Sequence, residues 1–171
     1  MAKPTKLGRR TSVRVALVKG QASELLWHGK IETTLARAKS VQAYAEKLIT
    51  LAMNTYEDNI KVVKEVVNEK GAKVKKEVVQ DGPTKLAARR KIMASLYDMQ
   101  EERQQKESKA NFRDRTKKIK HPIAEKMFNL YAPHFSKRAK ELGQKGGYTR
   151  IVRKYVRKGD NAEMVEIAVL V

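Results

Sequence analysis

Six lysines and arginines and no acidic residue fall within residues 1–20, and the same is true of residues 144–158. Runs of this kind do one sort of chemistry well, the neutralisation of a polyanion. Arg offers a planar fork that binds phosphate bidentately, whereas Lys acts as a point charge. The candidates for phosphate contact in the first run are Lys3, Lys6, Arg9, Arg10 and Arg14, and in the second Arg150, Arg153, Lys154, Arg157 and Lys158. Over 171 residues, 38 Lys and Arg face 19 Asp and Glu, a net charge of +19. A compact surface bearing that charge repels itself; phosphates relieve the repulsion and release condensed counterions as they bind. Nucleic acid is the expected partner.

Other chemistries find little footing. His28, His121 and His134 are widely spaced, each beside Gly or Pro, with no acidic partner at a metal or triad interval. Gly143, Gly146 and Gly147 precede a strand and no Gly-Lys-Ser/Thr follows, so they do not form a phosphate loop. Glu101 and Glu102 read as helix-surface charges. There are no cysteines, which excludes disulfides and thiolate zinc sites. The chain reads as a non-enzyme with no metal, no cofactor and no small-molecule substrate. A membrane partner would call for a basic amphipathic helix with bulky apolar residues opposite its charge, or a lipidation signal, and neither is evident. No apolar h-region follows the basic start, and no window reaches the ~18 apolar residues of a membrane span. No membrane association and a cytoplasmic location are expected.

The 41% apolar content can supply a core, although 33% charged residues exceeds the ~25% typical of globular chains. Pro4 and Gly8, with only Leu7 to bury, make residues 1–10 an extended basic arm that orders on phosphate. The spacing predicts a helix from Thr11 or Ser12, either able to cap it, to about Trp27, with Val15, Val18, Ala22, Leu25 and Leu26 on one face. His28-Gly29 ends it and Lys30–Thr34 reads as a short strand. Thr34 is placed to cap a second helix with the seam Ala38, Val41, Ala45, Leu48, Ala52. Beside that seam runs a stripe of Arg37, Ser40, Tyr44 and Lys47, so one helix meets both core and phosphate.

Residues 54–83 carry an echo, VVKEVV at 62–67 and VKKEVV at 74–79, which suits a two-stranded hairpin turning near Asn68–Gly71 as well as a helix. Asp81-Gly82-Pro83-Thr84 is a turn followed by a cap for a third helix, Leu86 to Met99, whose exposed side starts with Arg89-Arg90-Lys91. Residues 100–120, with Lys117 and Lys118, read as a linker or a phosphate-bound extension. Pro122 opens a fourth helix, with Ile123, Met127, Leu130 and Tyr131 on one face, ending near Pro133. Strand, turn, strand then closes the chain: Tyr148 to Val156, a turn at 158–162, and Met164 to Val171. The resulting expectation is a two-layer α+β fold of about four helices on a small mixed sheet. It comprises the arm, 1–10, and a single domain, 11–171, with polar insertions at about 54–83 and 100–120.

In that order the segments resemble the bacterial large-subunit ribosomal protein seventeen family. The resemblance rests on Lys6-Leu7-Gly8-Arg9, on Gly29–Leu35 continuing through Ala36-Arg37-Ala38-Lys39, and on Ala45–Leu51. Most specific are Gly146-Gly147-Tyr148-Thr149-Arg150-Ile151 and Arg157-Lys158-Gly159-Asp160-Asn161-Ala162. The resemblance implies a structural component of the large ribosomal subunit. It would bind large-subunit ribosomal RNA near the nascent-chain exit, beside neighbouring large-subunit ribosomal proteins. The chain departs from the family pattern at Val13-Arg14, where a His-Arg or Gln-Arg pair is usual, and in the lengths of 54–83, 100–120 and 139–142. A free nucleic-acid-binding chaperone or nucleoid-type protein is the alternative that charge alone permits.

Several candidates have two readings. The Arg89, Arg90 cluster either faces RNA or faces solvent. Tyr148 stacks on an unpaired base or packs on its strand neighbours, Gly146-Gly147 admits close RNA approach or supplies positive φ, and Trp27 is core or a base platform. Deleting residues 2–10 should leave thermal unfolding cooperative and impair incorporation into large subunits; loss of the cooperative transition would assign the arm to the core.

Overall fold

The computed structural model describes residues 5–67, 73–117 and 119–171. Lys3, Lys118 and the turn expected near Asn68–Gly71 lie outside the described residues. The first helix, α1, spans Thr11–His28 and ends as expected, with Gly29 at φ 84° donating its N–H to the Leu25 carbonyl at 2.8 Å. Its start differs: Arg10 holds the N-cap position and no side chain caps the helix. Ala22, Leu25 and Leu26 are buried, but Val15 is 47% exposed and Val18 half-buried, so the N-terminal half of α1 stands off the core.

Strand β1, Lys30–Thr34, leads directly into α2, Leu35–Thr55. All five expected seam residues are buried, joined by Ile49 and Met53. The hairpin reading of the next segment holds: β2, Asn59–Val67, pairs antiparallel with β3, Lys73–Asp81, setting Val62 opposite Val78 and Val63 opposite Glu77. This ribbon forms its own sheet, and Val63 and Val79 are well exposed.

Helix α3 covers Pro83–Ser95, starting and stopping earlier than its apolar spacing predicts. The reason for the early start lies 26 residues back. Pro83 at the first helical position has no N–H to satisfy, and the next two donors, the backbone N–H groups of Thr84 and Lys85, both reach Asp58 Oδ2, at 3.0 and 3.4 Å. The Thr84 hydroxyl also donates to that oxygen, and the Gly82 N–H donates to the Asp58 carbonyl. A Cβ on Gly82 would overlap the Asp58 carboxylate. Thr84 is thus a donor to the cap and not the cap itself.

Within the stretch read as linker, α4 spans Lys109–Thr116, capped by the Ser108 hydroxyl, which accepts from the Asn111 N–H at 3.1 Å. Pro122 does open a helix, α5, Pro122–Lys126, but Pro133 does not end it. The chain widens into a π turn at Met127–Tyr131 and continues as α6, Ala132–Leu142. A regular α turn would set the Pro133 ring against the carbonyl of Asn129; the Ala132 N–H reaching back to the Met127 carbonyl marks the wider turn that accommodates it. Leu130, expected inside, is 46% exposed as a result of this shift in phase. Gly143 at φ 65° ends α6.

Strands β4, Thr149–Val156, and β5, Glu163–Val169, complete a sheet of order β1-β5-β4. The sheet is antiparallel throughout and not mixed, because β5 runs opposite to both flanking strands. Val165 and Ile167 enter the core against α2. Phe135 of α6 is fully buried, with the Tyr148 ring 4.8 Å and the Tyr131 ring 6.4 Å away between centroids. Helices on one side of a small antiparallel sheet make the fold α+β.

The Thr84 hydroxyl bond holds the Asp58 carboxyl below its usual value of 3.8, against a smaller opposing effect of desolvation. A carboxyl depressed in the folded state contributes stability above its unfolded pKa and loses it as pH falls through the folded pKa. Asp58→Asn should therefore lower the thermal midpoint at pH 7 and shrink the further drop on acidification below pH ~4. An unchanged midpoint at pH 7 would show that Asp58 does not hold the start of α3.

Candidate nucleic-acid interface

Whether a cation can serve phosphate depends first on whether a carboxylate already holds it. Arg89 is held: Nε donates to Asp81 at 2.5 Å and Nη1 to Glu125 at 2.5 Å, while its guanidinium lies 5.0 Å from the Phe128 ring centre. Burial by itself would lower its pKa, and the bonds to Asp81 and the charge of Glu125 reverse that and raise it. Burial pushes the Asp81 carboxyl up, and its bonds from Arg89 and Lys85 bring it below the ordinary value. Arg89 is largely buried rather than solvent-facing, and its two ion pairs tie β3 to α5. Arg90, the next residue, is exposed and has no carboxylate partner among the described residues.

The C-terminal strand divides in the same way. A bulge between Arg153 and Tyr155 leaves Lys154 without a cross-strand partner and re-aims it. Its ammonium sits 2.8 Å from Glu166 and 3.2 Å from Glu32, and the hydrogen bonds to these two carboxylates raise its pKa. Arg157 grips Asp160 through two bonds, at 2.8 and 2.6 Å, and holds that carboxyl down to about 2. Its role is to close the β4–β5 turn, where its N–H also donates to the Ala162 carbonyl. Arg153 stands only 3.9 Å from Glu163 and is 74% exposed, a loose pair that leaves it available. Arg150 and Lys158 are exposed and carry no ion pair among the described residues.

Of the two readings of Tyr148, the structure shows packing on its neighbours. Only 2% exposed, it packs on Phe135 with its hydroxyl 3.6 Å from Met53 Sδ. Gly146 and Gly147 have φ of 106° and 58°, and Arg138 donates to both of their carbonyls while lying over Phe135 and Tyr148. The glycine pair therefore supplies the left-handed turn that β4 needs on entry. Trp27 is partly buried against the core, with Lys126 above its ring at 5.7 Å.

At the other end of the chain, Lys6, Arg9 and Arg10 are exposed, shaped by a turn in which the Arg9 N–H meets the Lys6 carbonyl at 3.1 Å. The arm folds back far enough for Thr5 to line an open groove of about 370 Å³ between α1 and α2. Val15 and Val18 of α1 and Ala43 and Tyr44 of α2 form its apolar surface, and Arg14, Lys39 and Lys47 contribute the charge. No acidic residue lines it. Lys39 lies off the stripe of Arg37, Ser40, Tyr44 and Lys47. The i, i+4, i+8 row Lys39–Ala43–Lys47 was the available signal. Arg37 is half-buried and outside the groove, and Lys117 is an exposed cation at the end of α4.

Among the described residues no group of His, Asp and Glu is arranged to hold a metal, and no helix is long and apolar enough to cross a membrane. Residues 17–170 match the family model described as Ribosomal protein L17. The chain belongs to that family. It is 39% identical to the large ribosomal subunit protein bL17 of Lachnospira eligens, covering 95% of this chain and 96% of the relative. The bL17 proteins of Acetivibrio thermocellus and Symbiobacterium thermophilum are 35% and 33% identical, with coverage of 94% of both chains in the first pair and 96% and 95% in the second. The L17 match takes in α2, the three-stranded sheet and the groove's α2 wall, while the arm and Arg14 precede it.

Free and committed cations should separate experimentally. Arg150→Gln should reduce the salt dependence of RNA binding by roughly 0.7–0.9 log units of slope without changing stability. Arg89→Gln should leave the slope alone and cost about 1–3 kcal/mol by stranding two carboxylates. The reverse pattern, read by binding at several salt concentrations and by denaturant melts, would invert the two assignments.

Proposed function

We propose that this chain is a structural constituent of the large ribosomal subunit that neutralises and positions segments of large-subunit ribosomal RNA near the nascent-chain exit. Membership of the L17 family over residues 17–170 carries the ribosomal part of this reading. The RNA part is supported by cations that no carboxylate holds among the described residues: Lys6, Arg9, Arg10, Arg14, Arg37, Lys47, Arg90, Lys117, Arg150 and Lys158. Lys39 joins them, and Lys3 and Lys118 extend the same runs in sequence. Placement near the exit, with neighbouring large-subunit ribosomal proteins as further partners, follows from the family resemblance.

The mechanism is electrostatic and geometric. Arm, helix α2 and strand β4 each offer point charges or guanidinium forks to a different stretch of backbone, and a rigid core fixes the distance between them. Such a surface reads backbone shape more than base sequence. Residues 1–10 act as an arm on a single domain, 11–171, and the chain works in the cytoplasm as part of the ribosome.

Quantitative mass spectrometry of this chain across a sucrose gradient, with a high-salt wash of the subunit fractions, should find one copy per large subunit after the wash. Recovery at the top of the gradient, or release into free nucleic-acid complexes as salt rises, would replace the ribosomal reading with a free nucleic-acid chaperone.

A further inference from the structure

The α1/α2 groove combines two surfaces that a plain phosphate-binding patch does not need together. Its walls are apolar where Val15 and Val18 approach Ala43, yet three cations, Arg14, Lys39 and Lys47, border the same space with no acid among the lining residues. A volume of about 370 Å³ lies within the ~300–1,000 Å³ range of pockets that hold small organic groups. Between wall and rim sits Tyr44, and its position is fixed: the hydroxyl donates to the Ser95 carbonyl of α3 at 2.8 Å. The polar end of Tyr44 is thereby used inside the protein, which leaves ring surface for the groove. An aromatic ring locked in this way meets a planar partner without paying for its own ordering.

We infer that this groove seats one unpaired RNA nucleotide, its base between the Tyr44 ring and the valines of α1, its flanking phosphates against Arg14, Lys39 and Lys47. A nucleotide is the species that places a flat, weakly polar ring next to anionic charge at this scale. A lone phosphate leaves the apolar walls uncovered, and an apolar peptide leaves three cations unmatched. The inference rests on the proposed RNA binding and deepens it by naming what this one site takes.

The test compares two RNA hairpins at fixed salt, identical except that one carries a single bulged nucleotide, binding to the full-length protein. The wild type should prefer the bulged hairpin roughly 5- to 150-fold, the range expected for stacking one base on an aromatic ring. Ala43→Leu fills the groove at an exposed helical site and alters no charge; it should abolish the preference, bringing the two hairpins to the same affinity. Lys39→Gln should lower the salt slope by roughly 0.7–0.9 for the bulged hairpin and by less for the paired one. No preference in the wild type, or equal effects of either variant on both hairpins, overturns the nucleotide pocket while RNA binding stands. Failure of the wild type to bind either hairpin overturns the proposed function with it. A dimer that Ala43→Leu dissociates in sedimentation velocity would also overturn the inference, by giving the groove to a second copy of the chain.

Discussion

The core of this fold is arranged around the seam of one helix. Along α2, Ala38, Ala45 and Ala52 recur every seven residues with Val41 and Leu48 between them, and all but Leu48 are fully buried. Alanine at those positions lets neighbouring backbones come close, since interaxial distance is set by the side chains at the contact. Helices α1 and α3, the π turn, α6 and the sheet all meet this one element. A bulkier residue at Ala45 would have to push several elements apart at once, because an interior packed to crystal density has no slack to absorb it. The price of so central a helix is that its opposite side is left to solvent, and that side carries Lys39, Ala43 and Lys47. The groove exists because α1 meets α2 only through its C-terminal half.

Polar contacts then fix what the seam brings together. Glu46 accepts from both the N–H and the hydroxyl of Thr149, and Gln42 donates to the same hydroxyl, so α2 sets the register at which β4 enters the sheet. Tyr131 donates to the Leu26 carbonyl at 2.8 Å, joining the π turn to α1, and burial pushes its hydroxyl up to about 12, so it stays a donor at any physiological pH. With twice as many bases as acids, such a chain uses its carboxylates sparingly. Asp58 starts a helix, Asp81 and Glu125 hold Arg89, Glu32 and Glu166 hold Lys154, and Asp160 closes a turn. Of these, only the Arg89 pairs with Asp81 and Glu125 bridge separate elements, β3 and α5; the others reinforce places where backbone hydrogen bonds already join the chain.

Periodicity made the seam of α2 and the core face of β5 legible, because there a repeat of apolar residues coincides with the residues that are buried, and the end of α1 was legible from Gly29 as a left-handed cap. The paired valine runs at 62–67 and 74–79 likewise face each other across a ladder. What escaped was set by atoms distant in sequence. The early start of α3 depends on Asp58, 26 residues away, and the passage of the chain through Pro133 depends on a π turn that no local propensity announces. Helix α4 has no buried residue and a single aromatic, Phe112, so no apolar stripe could reveal it; only the Ser108 cap was there to be read.

The candidate interface was legible as charge and illegible as geometry, and Arg89 and Arg90 show why. Adjacent on α3, they point about 100° apart around the helix, since 3.6 residues complete a turn. One rotation carries Arg89 into a pocket of two carboxylates and an aromatic face, and the next leaves Arg90 in solvent. Composition gives both the same weight. Arg150 on β4 and Arg157 just after it repeat the contrast, the first with no carboxylate partner among the described residues and the second bound to Asp160. A basic run thus sets an upper limit on the charge a protein can offer a polyanion, and the carboxylates that the fold brings alongside decide how much of it remains. In this chain part of the remainder lies in the arm, which has no acid in its sequence, and along the α1/α2 groove, whose lining holds none.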